Sequence, residues 1–291
     1  MDGRTRALFH IAWRAPRVFL TQATTAVQMS SLLIDDSHPG IRIVTLNRPE
    51  RMNALDGPTL EAFIDTVREC SAPGKDIRVI VIKGAGRCFS AGADLKWLAS
   101  GVLADHGAHL RFQDRLQEMC ETLEAADQVV IGSIHGFALA GGLELAMSCD
   151  ILVADEAAEL GDEHIKRNLL PGGGGSQRLP RKIGLARGLF YLLTGRRIKG
   201  REAERIGLVA VAVNGAELAD TTLALAQEVA RTDGRALASM KQMARRGMEL
   251  PLREGLWLER WSQHRYRQES SAMDSGVANF AAHGKTGAPK A

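Results

Sequence analysis

From Ser31 the chain alternates between short apolar runs and longer amphipathic stretches. "SLLID" (31–35) and "IRIVTL" (41–46) read as two paired strands joined through "DSHPG", whose Pro and Gly are turn residues. Pro58 then opens a helix on which Leu60, Phe63, Ile64 and Val67 fall at i, i+3, i+4 and i+7. "RVIVIKG" (78–84) is rich in β-branched residues and lacks polar alternation, the pattern of a strand covered on both faces. A second amphipathic helix carries Phe112, Leu116, Met119 and Leu123 and leads into "QVVIGSI" (128–134), another buried strand. "ILVA" (151–154) and "LVAVAV" (208–213) complete the strands, with the glycine-rich "LLPGGGGSQRLPRKIG" between them. From Gly215 the pattern is mostly helical. Strands alternating with helices predict an α/β core with crossover connections, followed by a C-terminal helical region. The boundaries fall at 29–214 for the core and 215–291 for the helical region and tail, with no repeat or long linker. The stretch 99–109, "ASGVLADHGAH", has no period and is read as irregular.

Composition narrows the class. With 291 residues, 45% hydrophobic and 24% charged, the chain has the make-up of an ordinary globular protein, which excludes disordered and collagen-like classes. Cys70, Cys88, Cys120 and Cys149 are widely spaced, form no CxxC and have no histidines at zinc-ligand intervals, so reduced thiols and no metal site are expected. No apolar run reaches the roughly 18 to 20 residues of a membrane span, and no membrane partner is expected. Charge is uneven only at the start, where Arg4, Arg6, Arg14 and Arg17 against Asp2 give +3, equal to the whole-chain net charge of +3. This leader, 1–28, reads as an extension outside the fold with Met29 as the natural beginning, and the location as cytoplasmic. The alternative is an organelle transit peptide and a matrix location, because the leader is Arg-rich and acid-poor and lacks a secretory core.

Chemistry concentrates in three small-residue loops: "GAGRCFSAGADLKWL" (84–98), "HGFALAGGLEL" (135–145) and "LLPGGGGSQRL" (169–179). In the first two, Gly or Ala sits where the backbone turns into a helix, leaving unpaired N–H groups that favour an anion or oxyanion. Three residues past Gly141 stands Glu144, the one carboxylate between His135 and Asp150. A carboxylate in an apolar run costs several kcal/mol unless paired, bonded or neutral, so Glu144 is either half of an ion pair with an arginine or a chemical group. Desolvation there is expected to raise its pKa toward neutrality.

"LNRPERMNAL", "RCFSAGADLKWL", "IHGFALAGGLELAMSCDI", "LPGGGGSQRLPRKIG" and "TGRRIKGREAERIGLV", in this order and spacing, resemble the enoyl-CoA hydratase/isomerase (crotonase) superfamily from about Ser31 to about residue 270. The resemblance implies a ββα spiral core with a C-terminal helical trimerisation region, assembled as a homo-trimer or dimer of trimers. It implies an acyl-CoA thioester as substrate, with coenzyme A part of that substrate and no separate cofactor. The family's oxyanion hole falls on the N–H groups of Ala93 and Gly141. Its adenine and pantetheine site falls on Arg51, Asn53, Ala54, Ser90, Ala91, Asp94 and Leu95, mostly through backbone contacts, and the tail places Lys285 near a CoA phosphate or in disorder. Glu144 matches one of the two catalytic glutamates of the hydratases.

The position of the second glutamate is occupied by His164 in "LGDEHIKRN". His164 can replace the carboxylate as proton carrier, leave Asp162 or Glu163 to supply it, or be a passive pocket residue. Hydration of a 2-trans-enoyl-CoA to a 3-hydroxyacyl-CoA is the expected reaction, and isomerisation of a 3-enoyl-CoA by Glu144 alone is the alternative. "GGGGS" is not followed by the Lys of a P-loop and reads as flexible turn chemistry. "FSAG" lacks the first glycine of a nucleophile elbow, which sets aside a serine hydrolase. "KQMARR" (241–246) and "RWSQHRYR" (260–267) are the only footholds for RNA, and a nucleic-acid partner is not expected; a CoA-binding non-enzyme is the other alternative.

Overall fold

The computed structural model describes residues 30–283; the leader 1–28 and the tail carrying Lys285 lie outside the described residues. Strands β1 (Leu32–His38) and β2 (Ile41–Leu46) pair antiparallel. A 3-10 turn (Pro49–Arg51) leads to α1 (Gly57–Glu69), whose N-terminus is capped by Asp56 accepting from the Thr59 N–H at 2.9 Å. The helix buries Leu60, Phe63, Ile64 and Val67, as their spacing predicts. After β3 (Val79–Gly84) come a single turn α2 (Leu95–Trp97) and a π-type turn (Leu98–Val102) broken by Gly101, so the stretch 99–109, read as irregular, begins in this turn, and its residues 106–109 already belong to the next helix. Then come α3 (His106–Ala125), β4 (Val129–Ile134), β5 (Phe137–Leu139), α4 (Gly141–Ser148), β6 (Ile151–Asp155), β7 (Glu159–Gly161) and a 3-10 turn (His164–Arg167). The chain continues through α5 (Gly175–Ile183), α6 (Leu185–Thr194), β8 (Ile198–Lys199), α7 (Gly200–Arg205) and β9 (Val211–Val213). Four helices close it: α8 (Leu218–Ala230), α9 (Gly234–Gly247), α10 (Leu252–Glu269) and α11 (Ala272–His283).

The main sheet runs β1-β2-β3-β4-β6-β9, parallel from β2 onward, and a small sheet runs β5-β7-β8. Apolar side chains cover both faces of the main sheet. Ile80 and Ile82 of β3 enter the core shared with α1 and α3, while Val79 and Val81 meet Leu218, Ala226 and Ala230 of α8 on the other face. Two-sided burial is why this strand shows no polar alternation.

"LVAVAV" is a strand only over its second half. The Leu208 and Val209 N–H groups bond to Ala203 O and close α7 instead of joining a ladder. The basic stretch 241–246 is not an open polyanion surface either. Lys241 is buried, donating to Leu123 O and Gln128 O and pairing with Asp150 at 2.9 Å, and Arg245 pairs with Asp150 and Glu124. In the single chain α10 buries no residue and leaves Leu252, Leu256, Trp257 and Trp261 exposed.

Candidate active site

Two loops meet beside the start of α4. Gly92 adopts φ 91°, and a Cβ there would lie 2.7 Å from Leu139 O and 2.8 Å from the Gly141 nitrogen. Only glycine permits so close an approach, which sets the Ala93 N–H beside Gly141. Gly141 is the first residue of α4, where the helix offers its N–H no partner. Among the described residues, neither the Ala93 nor the Gly141 N–H donates a hydrogen bond. The residue before Gly141, Ala140, holds φ 47°, a left-handed value for an alanine, so the turn that presents this N–H carries backbone strain.

Glu144 sits one turn into α4, fully buried. Its Oε1 accepts the N–H of Gly173 and of Gly175, each at 2.8 Å, while Oε2 has no hydrogen-bond partner among the described residues. Among the described residues no arginine pairs with it; Arg178, whose charge interacts with Glu144, is bonded to Glu124. Burial pushes the Glu144 carboxyl above its ordinary value, although the charge of His164 and the two backbone donors pull the other way. One backbone-anchored oxygen and one bare one suit a group that moves protons without losing its place.

His164 faces that bare oxygen, with Nε2 4.0 Å from Glu144 Oε2. Its Nδ1 lies 2.8 Å from Asp162 Oδ1. Burial alone would lower the imidazole's pKa, but the bond and charge of Asp162 and the charge of Glu144 outweigh it, so His164 holds its proton above the ordinary histidine range. Glu163 is turned away and held by Arg197 at 2.7 Å and Lys166 at 2.8 Å, which removes it as the second carboxylate.

The glycine run is less a flexible turn than a space-making device. Only Gly174 has a positive φ. At Gly172 a Cβ would overlap the Gln113 carboxamide oxygen, at Gly175 the Asp162 carboxylate, and at Gly173 it would stand 3.0 Å from Glu144 Oε2. Those three side-chain oxygens, Gln113 Oε1, Glu144 Oε2 and Asp162 Oδ2, are buried without hydrogen-bond partners among the described residues. Gln113 and His109, whose side chains are 3.2 Å apart on α3, were not singled out by sequence, because that helix shows only its apolar stripe.

The residues matched to the adenine and pantetheine site lie on two loops joined by the Leu55–Ala93 bridge. Asn53 is buried, accepting from the Arg48 N–H and donating to Ala85 O and Cys88 O. Ser90 donates to Asn53 O and accepts from the Gly92 N–H; Ala91 N–H bonds Met52 O. These side chains brace the loops, so only backbone remains for a ligand at Asn53 and Ser90. Asp94 caps α2 and pairs with Arg48 at 3.0 Å; Ala54 is buried; Arg51 and Leu95 are exposed. Arg48, which also pairs with Asp56 at 2.9 Å, ties both loops to α1 and was legible only as part of "LNRPE".

Fold and site together define an α/β enzyme able to steady charge on a carbonyl oxygen beside a buried proton carrier. Residues 36–287 match the enoyl-CoA hydratase/isomerase family. The chain is 37% identical over 228 residues to the "Probable enoyl-CoA hydratase echA8" of Mycobacterium leprae (strain TN), covering 78% of this chain and 86% of that protein. It is 34% identical over 232 residues to the 2,3-dehydroadipyl-CoA hydratase of Escherichia coli (strain K12), covering 80% and 88%. The crystal structure of the enoyl-CoA hydratase from Bacillus anthracis overlays with a TM-score of 0.82 at 30% identity, over 87% of this chain and 96% of that one. The chain belongs to the enoyl-CoA hydratase/isomerase family, with its crotonase fold and its use of acyl-CoA thioesters.

Proposed function

We propose that the chain hydrates a 2-trans-enoyl-CoA to a 3-hydroxyacyl-CoA, with Glu144 and His164 as its proton carriers and the Ala93 and Gly141 N–H groups as its oxyanion hole. The observation that carries this reading is the 4.0 Å gap between Glu144 Oε2 and His164 Nε2. The gap is too long for a direct hydrogen bond, whereas a water about 2.8 Å from both atoms closes it with an angle of about 90° at its oxygen. Glu144 acting alone, as a simple double-bond isomerase would have it, leaves the facing imidazole without a task.

Glu144 starts as carboxylate and His164 as imidazolium; the water gives a proton to Oε2 while its oxygen bonds to C3 of the enoyl group. The double-bond electrons move to C2 and the thioester oxygen, where the two N–H groups stabilise the enolate. His164 Nε2 then protonates C2. An entering water carries the proton from Glu144 to the imidazole and restores both groups. The coenzyme A portion lies along Arg51, Asn53, Ala54, Ser90, Ala91, Asp94 and Leu95, and no further cofactor takes part.

The apolar side chains exposed on α10 support an interface on that helix, and assembly as a trimer or dimer of trimers is part of the proposal. Among the described residues no helix is long and apolar enough to cross a membrane, and a cytoplasmic site of action is part of the proposal.

A panel of 2-enoyl-CoA and 3-enoyl-CoA thioesters tests the reaction, since hydration removes the absorbance of the conjugated thioester and migration of a 3,4 double bond creates it. Hydration of a 2-enoyl-CoA is expected. Migration without hydration would make the chain an isomerase, and tight CoA-thioester binding without either would make it a binding protein.

A further inference from the structure

The mechanism above leaves Asp162 unused. It is 1% exposed, spends Oδ1 on His164 at 2.8 Å, and keeps Oδ2 buried with no partner among the described residues. A carboxylate kept only for structure would have both oxygens satisfied, because a bare buried one is costly. Gly175 leaves the space that Oδ2 fills, so the site is shaped to admit this side chain.

We infer that Asp162 is a positioning residue: it accepts the Nδ1–H of His164, fixes the tautomer whose Nε2 faces Glu144, and so makes a histidine fit to hold the attacking water. The chemistry is that of a carboxylate oxygen, which at this contact can only accept, so the proton belongs to Nδ1 and Nε2 is left to exchange protons across the gap. The charge of Asp162 then acts with that of Glu144 to keep the imidazole protonated against its burial. These are the two titratable groups that act on His164, one from the turn after β7 and one from α4; Glu163 is engaged by Arg197 and Lys166.

This inference rests on the hydratase reading for its kinetic arm but not for its spectroscopic arm. Histidine 15N NMR of the full, ligand-free chain reports tautomer and titration midpoint, and His164→Gln identifies the His164 signal by its loss. The parent is expected to show the Nδ1–H tautomer and a midpoint above the ordinary 6.5. Asp162→Asn keeps an acceptor and therefore the tautomer, but without the charge the midpoint falls. Asp162→Ala loses the tautomer preference as well. In hydration of a short 2-enoyl-CoA, both variants should lower kcat roughly 10- to 100-fold, the scale on which a metal-bound histidine suffers from losing its outer partner, with KM unchanged. A parent His164 found as the Nε2–H tautomer would overturn the inference without any variant being needed, and so would an unchanged midpoint in Asp162→Asn. If the NMR results hold while the parent hydrates nothing, Asp162 still positions His164 and it is the hydratase reading that fails.

Discussion

Glu144 provides the test that separates chemistry from folding, through two substitutions that differ in what they leave behind. Gln keeps an oxygen to accept from the Gly173 and Gly175 N–H groups, each now 2.8 Å from Oε1, and removes a buried charge. Ala strands both buried donors, at about 1 to 3 kcal/mol each, or roughly 2 to 6 kcal/mol together, with water entry setting the low end. For a chain of this size that is a fall in Tm of about 5 to 20 °C for Ala, against none for Gln. Burial raises the Glu144 pKa above its ordinary 4.5, so the parent is favoured below that value and loses the advantage as pH rises through the folded-state value. Gln should therefore match or exceed the parent's Tm at pH 7, and the difference should vanish near pH 4. Both variants should lose about 10²- to 10⁴-fold in kcat for hydration, or about 2.7 to 5.5 kcal/mol of barrier. Calorimetry and a continuous hydration assay measure the two effects separately. A Gln variant with near-parent turnover, or one as unstable as Ala, would refute the reasoning.

Gly92→Ala drives a Cβ toward Leu139 O and the Gly141 nitrogen, so kcat should fall about 10²- to 10³-fold, as for a lost oxyanion donor, with KM far less affected; equal changes in both would argue against that role. His164→Ala should cut hydration by about 10²- to 10⁴-fold while sparing CoA-thioester affinity measured by calorimetric titration, and an equal loss of binding would make His164 a pocket residue. Lys241→Met removes a buried ammonium bonded to two carbonyls and Asp150 and should cost about 3 to 5 kcal/mol, nearer the low end because Arg245 still holds Asp150. A urea midpoint unchanged from the parent would show that Arg245 alone suffices.

Periodicity marks α1 and α3, which bury one face, whereas β3 and β4 are legible from β-branched content without alternation, because both of their faces are buried. The small sheet was invisible: β5, β7 and β8 have two or three residues each, too few to show a period. Glu144 stood out because its neighbours are apolar on every side, and all eight residues of α4 are indeed buried. "GDEH" did not disclose its own division of labour. Three ionisable groups in a row look alike in sequence, and only the fold turns Asp162 inward to His164 and Glu163 outward to Arg197. The glycines at 172–175 look like freedom of the backbone in sequence, yet at Gly172 and Gly175 a side-chain oxygen stands where a Cβ would be, and at Gly173 one lies in tight contact with that position.

The contact between Asp162 and His164 also sets how this active site can change by mutation. A glutamate at position 164, as the two-glutamate hydratases would have it, would face Asp162 and Glu144 at once, three acids in one buried space. Losing Asp162 while the histidine stays leaves the imidazole buried with less charge to keep its proton. Either single change is therefore expected to weaken the site, and the effects of the two positions should be non-additive. Asp162→Asn with His164→Glu in the same chain should recover hydration that His164→Glu alone does not support.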